Sequence, residues 1–228
     1  MSSSPPEISS RPFSDMSNEA VSTTTSSSSS SSSSSTISGA EVQPSIIEAR
    51  MTGNGKIVIV ETRIQDELRT KGFGEMEDAE YILKPYEALY LFHTKRLKLK
   101  NKPETDFNSL FELLQKHNRN IMSEFLVYRD LRSRGYVAKE GFGFGNDFRV
   151  YERGEYEKKP AKYVVFGIKE GTNTTVKEFA STVGQIQKMG KEAVVAVIER
   201  RGEVIYYKAA TIRFTNNSIN NYDSQSHP

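Results

Sequence analysis

Cysteine is absent from the 228 residues. That excludes disulfides, thiolate metal sites and a cysteine nucleophile, and it fits a cytoplasmic chain. No apolar run approaches the roughly 18 residues that a membrane-spanning helix needs. Runs such as IVIV at 57–60 and AVVAVI at 193–198 have strand length, so no membrane partner is expected. The start, MSSSPPEISS, lacks the basic region and apolar core of a secretory signal. Histidine is scarce: His93, His117 and His227, with none from 118 to 226. No HExxH pattern or carboxylate–histidine ligand spacing occurs, so neither a metal nor another cofactor is expected. No Ser/His arrangement suggests a hydrolytic nucleophile. GFGFG at 141–145 lacks the lysine and hydroxyl residue of a phosphate-binding loop and reads as a tight turn. There is no internal repeat.

What is present divides sharply near residue 50. Ser26–Ser35 is an unbroken serine run flanked by threonines. Such a segment buries too little apolar surface to offset its ordering entropy, so residues 1–50 read as a disordered tail. Met51 stands where the composition changes, and is either the true start or the first residue after a genuine tail. The formal charge is +2; residues 1–50 hold five carboxylates against two arginines (−3), leaving +5 for the rest. That is a weak pointer to a polyanionic partner.

Residues 51–119 read as a small α/β domain. GKIVIVE at 55–61 is a strand, and LKPYEALYLFHTKRL a helix with Pro85 in its first turn and Tyr86, Leu89 and Tyr90 on one face. KRLKLKNK, as a strand, puts Arg96, Lys98 and Lys100 on one face against Leu97 and Leu99 on the other. Lysines placed so also suit a solvated edge strand guarded against aggregation. DFNSLFELLQKHNR is a helix capped by Asp106. Residues 120–214 begin with a helix stopped by Gly135 and continue β-β-β-α-β-β: YVAKEGF, DFRVYERG and KYVVFGI, then a helix with Val176, Phe179, Ala180 and Val183 toward the core, then KEAVVAVIE and EVIYYKAATIRF. Residues 215–228 read as a frayed tail. The fold class expected is α+β.

FLVYRDLRSRGYVAKEGFGFGNDFRVYERG resembles the catalytic domain of the archaeal tRNA-splicing endonucleases. The likeness rests on LR.RGY followed by G..FG.DF.VY, and on GKEAVVAV as the helix–lysine–strand step. YILKPYEALYLFHTKRLKL is similar to the N-terminal domain of that family. Together they cover residues 53–214. The resemblance implies a restriction-endonuclease-like C-terminal domain and a metal-independent cut in precursor tRNA. In that reaction a ribose 2′-OH attacks the adjacent phosphate, leaving a 2′,3′-cyclic phosphate and a 5′-OH. It needs a base for the 2′-OH, an acid for the leaving oxygen and a cation for the phosphorane charge; the family uses tyrosine, histidine and lysine.

Carried over by position, the tyrosine falls on Tyr151 and the lysine on Lys191. Pro160 and Ala161 stand where the histidine belongs, and neither can donate a proton. Lys158, Lys159 and Lys162 are near as candidate RNA-binding cations, but an ammonium with a pKa of about 10 is a poor acid at neutral pH. Catalytic members also carry an arginine on the preceding helix, where this chain has Gly184. Without the resemblance, Tyr151 would read as a packed strand residue and Lys191 as a complement to a helix dipole.

The implied reading is the non-catalytic subunit of an α2β2 heterotetramer. Its partners would be a triad-bearing catalytic subunit and precursor tRNA with a bulge–helix–bulge. The family pairs subunits through its last strand, which points to Val204, Ile205, Tyr206 and Tyr207 as interface. It also docks an acidic loop, matched here by Glu199 and Glu203 with Arg200 and Arg201 added. An active endonuclease with another proton donor and an RNA-binding scaffold stand as alternatives.

Overall fold

The computed structural model describes residues 46–145 and 147–212. The serine run and the expected C-terminal tail lie outside the described residues. The first strand, β1 (Ile47–Met51), corrects the expected tail boundary. Ile47, Ala49 and Met51 are buried in strict alternation, so residues 47–50 belong to the fold. The serine-dominated composition just upstream had hidden this period-two pattern.

The chain continues through β2 (Ile57–Ile59), α1 (Thr62–Thr70), β3 (Glu75–Glu77), β4 (Glu80–Leu83), α2 (Pro85–His93), β5 (Leu97–Leu99) and α3 (Phe107–Gln115). These strands form a sheet in the order β3-β4-β2-β1-β5, with β1 and β5 parallel and the other pairs antiparallel. The β3–β4 hairpin was not read from the sequence. Its turn residues, Asp78 and Ala79, both have positive φ (47° and 65°), whereas the sequence signal for such a turn is Asn-Gly or Asp-Gly. Helix α2 begins at Pro85, where a missing N–H costs nothing. Helix α3 is capped as expected, the Asp106 carboxylate accepting from Ser109 N at 2.8 Å.

The second half runs α4 (Ile121–Ser133), β6 (Val137–Glu140), β7 (Asp147–Tyr151), β8 (Tyr163–Lys169), α5 (Val176–Lys188), β9 (Glu192–Ile198) and β10 (Val204–Ala209). The sheet order is β10-β9-β8-β7-β6, and α5 makes the crossover between the parallel pair β8 and β9. The expected β-β-β-α-β-β order and α+β class are present. Two details differ. The last strand ends at Ala209 rather than running to Phe214, and residues 213–214 lie outside the described residues. On α5, Val176 is 83% exposed and Ala180 is exposed too, while Val183 and Ile186 are buried. Phe179 packs with them against Phe166, so the apolar period marks the core face at Phe179 and Val183 and not at Val176 and Ala180.

One apolar core joins both sheets, from Ile47 and Ile57 through α2 and α4 to Val150, Val165 and Ile198. Its centre is aromatic: Tyr86 of α2 meets Tyr128 of α4 at 4.9 Å and Phe148 of β7 edge-on at 5.1 Å. Beside it, Glu87 is 0% exposed. Its carboxylate accepts from Gly74 N (2.8 Å) and Lys84 N (3.0 Å) and pairs with the Lys139 ammonium (3.3 Å), which also donates to Gly74 O (2.8 Å). A smaller core, around Val164, Phe166, Val183 and Ile186, seats α5.

Candidate functional site

Strand polarity builds the site. Strand β7 runs antiparallel to β8, and β8 parallel to β9, so the end of β7 meets the beginnings of β8 and β9 at one edge of the sheet. The register pairs Val150 with Tyr163 and Tyr163 with Glu192. One step outward, Tyr151, Lys162 and Lys191 form a row across three strands. Lys162 N donates to Val150 O (3.1 Å), and Glu192 N to Lys162 O (3.0 Å). Two strand spacings set Tyr151 and Lys191 about 10 Å apart along that row. The segment Pro160–Ala161 enters β8 between them.

Lys191 follows the Gly190 turn (φ 68°) that ends α5. Its ammonium donates to the carbonyl of Ala161 at 2.8 Å. Ala161 itself is 6% exposed, so next to the row the chain presents a buried methyl and an occupied carbonyl. Tyr151 is half-buried, its ring edge-on to Tyr156 at 5.1 Å. Burial pushes the Tyr156 phenol above its ordinary pKa, with Glu157 and Tyr151 adding to the shift.

Of Lys158, Lys159 and Lys162, the last two are held by carboxylates. Lys162 pairs with Glu152 (2.6 Å), which also accepts from the Tyr163 hydroxyl (3.1 Å), and Lys159 pairs with Glu155 one helical turn earlier. The hydrogen bond to Lys162 holds the Glu152 carboxyl below its ordinary range, and the same contacts raise the ammonium pKa of Lys162 and of Lys159. Lys158 is exposed and has no ion-pair partner among the described residues. Sequence reasoning named the lysines and missed Glu152, Glu155 and Tyr156; only the i, i+4 spacing of Glu155 and Lys159 was there to be read.

The glycine loop 141–145 is a turn held by Asp147. Its buried carboxylate accepts from Phe142 N at 2.6 Å, and a Cβ on Gly141 would lie 1.8 Å from its oxygen. Burial raises the Asp147 carboxyl despite these backbone donors. Among the described residues, no three His, Asp or Glu side chains are placed to hold a metal ion, and no helix is long and apolar enough to cross a membrane.

Strand β10 is the far edge of this sheet, with no further strand beside it among the described residues. Val204 and Tyr206 pack on the core, whereas Ile205 and Tyr207 are exposed. The preceding turn is closed by Glu199 N to Glu203 O at 3.0 Å, and Arg200 lies 3.8 Å from Glu170. The structure thus gathers Tyr151, Pro160, Ala161, Lys162 and Lys191 at one sheet edge. Val204–Tyr207, Glu199 and Glu203 lie on and beside β10, two strands away from β8.

The family model for the tRNA intron endonuclease catalytic C-terminal domain matches residues 121–206, which include the whole row, and the N-terminal domain model matches residues 50–111. The chain belongs to the tRNA-splicing endonuclease family. It is 31% identical to a tRNA-splicing endonuclease of Methanococcus maripaludis over 160 residues, 69% of this chain and 90% of that one. With that of Thermococcus onnurineus it shares 31% over 169 residues (74% and 98%), and with that of Methanothermobacter thermautotrophicus 34% over 164 residues (71% and 95%). In this member of the tRNA-splicing endonuclease family the row holds the phenol of Tyr151 and the ammonium of Lys191. Between them stand Lys162, paired with Glu152, and the carbonyl of Ala161, which accepts from Lys191.

Proposed function

We propose that this chain is the structural subunit of a tRNA-splicing endonuclease that removes introns from precursor tRNA at bulge–helix–bulge sites. It assembles with a triad-bearing catalytic subunit, in an α2β2 complex, and positions it. The observation that carries this reading is the engagement of Lys191 with Ala161 O at 2.8 Å. The ammonium that would meet a phosphorane is spent on the backbone at the very position where a proton donor is missing. Of the neighbouring lysines, Lys159 and Lys162 are poor sources of that donor. Their pairing with Glu152 and Glu155 raises their pKa and makes them weaker acids at neutral pH. The open edge of β10, with Ile205 and Tyr207 exposed, supports Val204–Tyr207 as the surface that meets another subunit.

The test is cleavage of a bulge–helix–bulge RNA by the purified chain, alone and mixed with the triad-bearing subunit of its organism. Cleavage is expected only from the mixture. Tyr151→Phe and Lys191→Ala in this chain are expected to leave the mixture's rate within about twofold. A general acid–base residue contributes on the order of 10²–10⁴-fold, so a loss of that size, or cleavage by the chain alone, would overturn the reading.

A further inference from the structure

Strand β5 is the outer edge of the first sheet, with its parallel partner β1 on one side and no strand on the other among the described residues. Residues 95–105 around it hold five cations, Lys95, Arg96, Lys98, Lys100 and Lys102, against the single carboxylate Glu104. Leu97 and Leu99 turn into the core, which directs Lys98 outward. Lys100 meets Glu48 at 3.4 Å and Arg96 lies 3.8 Å from Glu67. Lys95, Lys98 and Lys102 are exposed and have no ion-pair partner among the described residues. The backbone at Lys95 has φ 58°, a left-handed conformation that a non-glycine residue rarely adopts. Beside the strand runs a groove of about 560 Å³, lined by Lys95, Lys98 and Lys100 with Phe92, Pro103 and the carboxylate Glu48 that pairs with Lys100.

We propose that this edge binds RNA phosphate backbone, gripping a part of the precursor RNA away from the cut. The edge is only three residues long and carries Lys98 outward between flanking lysines, which disfavours a protein partner added by strand pairing. Lys95 and Lys98 on the groove and Lys102 farther along the same segment provide what a polyanion needs: point charges whose counterions are released on binding. The edge belongs to the first sheet, whereas the Tyr151–Lys191 row belongs to the second, so the contact adds length to the RNA footprint. The proposal rests on the family's RNA substrate and not on this chain being non-catalytic.

The test is fluorescence anisotropy of the full chain with a labelled bulge–helix–bulge RNA over a salt series. Lys98→Gln/Lys102→Gln is expected to weaken binding about 5–20-fold at low salt and to flatten the slope of log K against log salt by about 1.5–2. Lys116→Gln, at the end of α3, is expected to stay within about twofold. Unchanged affinity and slope overturn the proposal, as does the absence of salt-dependent binding by the unaltered chain. Two other outcomes also overturn it. Self-association of the double variant with RNA affinity intact would make the lysines guards of a sheet edge. Loss of binding to the triad-bearing subunit with RNA affinity intact would make the edge a protein contact. Cleavage by the chain alone would sink the structural-subunit reading and leave the salt slope untouched, so the two failures are distinguishable.

Discussion

Lys191 is the residue on which sequence and structure speak most directly to each other. Its place after a helix end was legible, because Gly190 ends α5 and a strand pattern resumes at Glu192. What its ammonium does was not legible, because a hydrogen bond to the carbonyl of Ala161, thirty residues earlier, depends on the pairing of β8 with β9. A charged donor on a half-buried carbonyl stabilises a fold by about 1–2 kcal/mol. Lys191→Met is therefore expected to lower the unfolding free energy by about that amount in urea titration, and Lys191→Arg to recover part of it. The pairing of β7 with β8 decides the surroundings of the loop lysines in the same way. Their spacing was visible, but the carboxylates that hold them lie across the loop, and only the folded loop brings Glu152 to Lys162.

At the scale of elements, helices with strong periodicity and marked ends were read well. Asp106 caps α3, Pro85 opens α2 and Gly135 follows α4. Strands failed where their signals were diluted. The β3–β4 hairpin hides behind Glu75, Glu77 and Glu80 and a turn at Asp78–Ala79, and β1 hides at the end of the serine-rich stretch. Strand β1 carries a consequence for any chain begun at Met51. It would lack Ile47, 1% exposed, and Ala49, 2% exposed, and with them the parallel pairing to β5. Burial of one isoleucine is worth about 1.5–3 kcal/mol. A chain starting at Met51 is expected to unfold at least about 2 kcal/mol more easily than the full chain in a urea titration. Equal stability would show that β1 adds nothing to the fold.

At the scale of the whole molecule, Glu87 and Lys139 tie the first sheet's helix α2 to the second sheet's strand β6. Burial pushes the Glu87 carboxyl above the usual carboxylate range, while Lys139 and the two backbone N–H groups pull it back. Removing the cation alone leaves a buried, unpaired charge, so Lys139→Met is expected to cost about 3–5 kcal/mol. The pH dependence has a definite sign. A carboxyl whose pKa is higher folded than unfolded binds its proton more tightly in the native state, so its contribution grows as pH falls. The stability gap between Lys139→Met and the unaltered chain is therefore expected to narrow from about pH 8 to about pH 5 in urea titrations, as protonation neutralises Glu87. A gap that stays constant or widens on acidification would show that Glu87 is not the source of the loss.

The aromatic junction of Tyr86, Tyr128 and Phe148 sits beside that pair, in a core that has no break between the sheets. The two halves are therefore expected to melt in one step, as a single transition seen alike by different probes. Whatever is bound at either end is felt thermodynamically at the other, because a ligand that selects the folded state holds the entire cooperative unit in place.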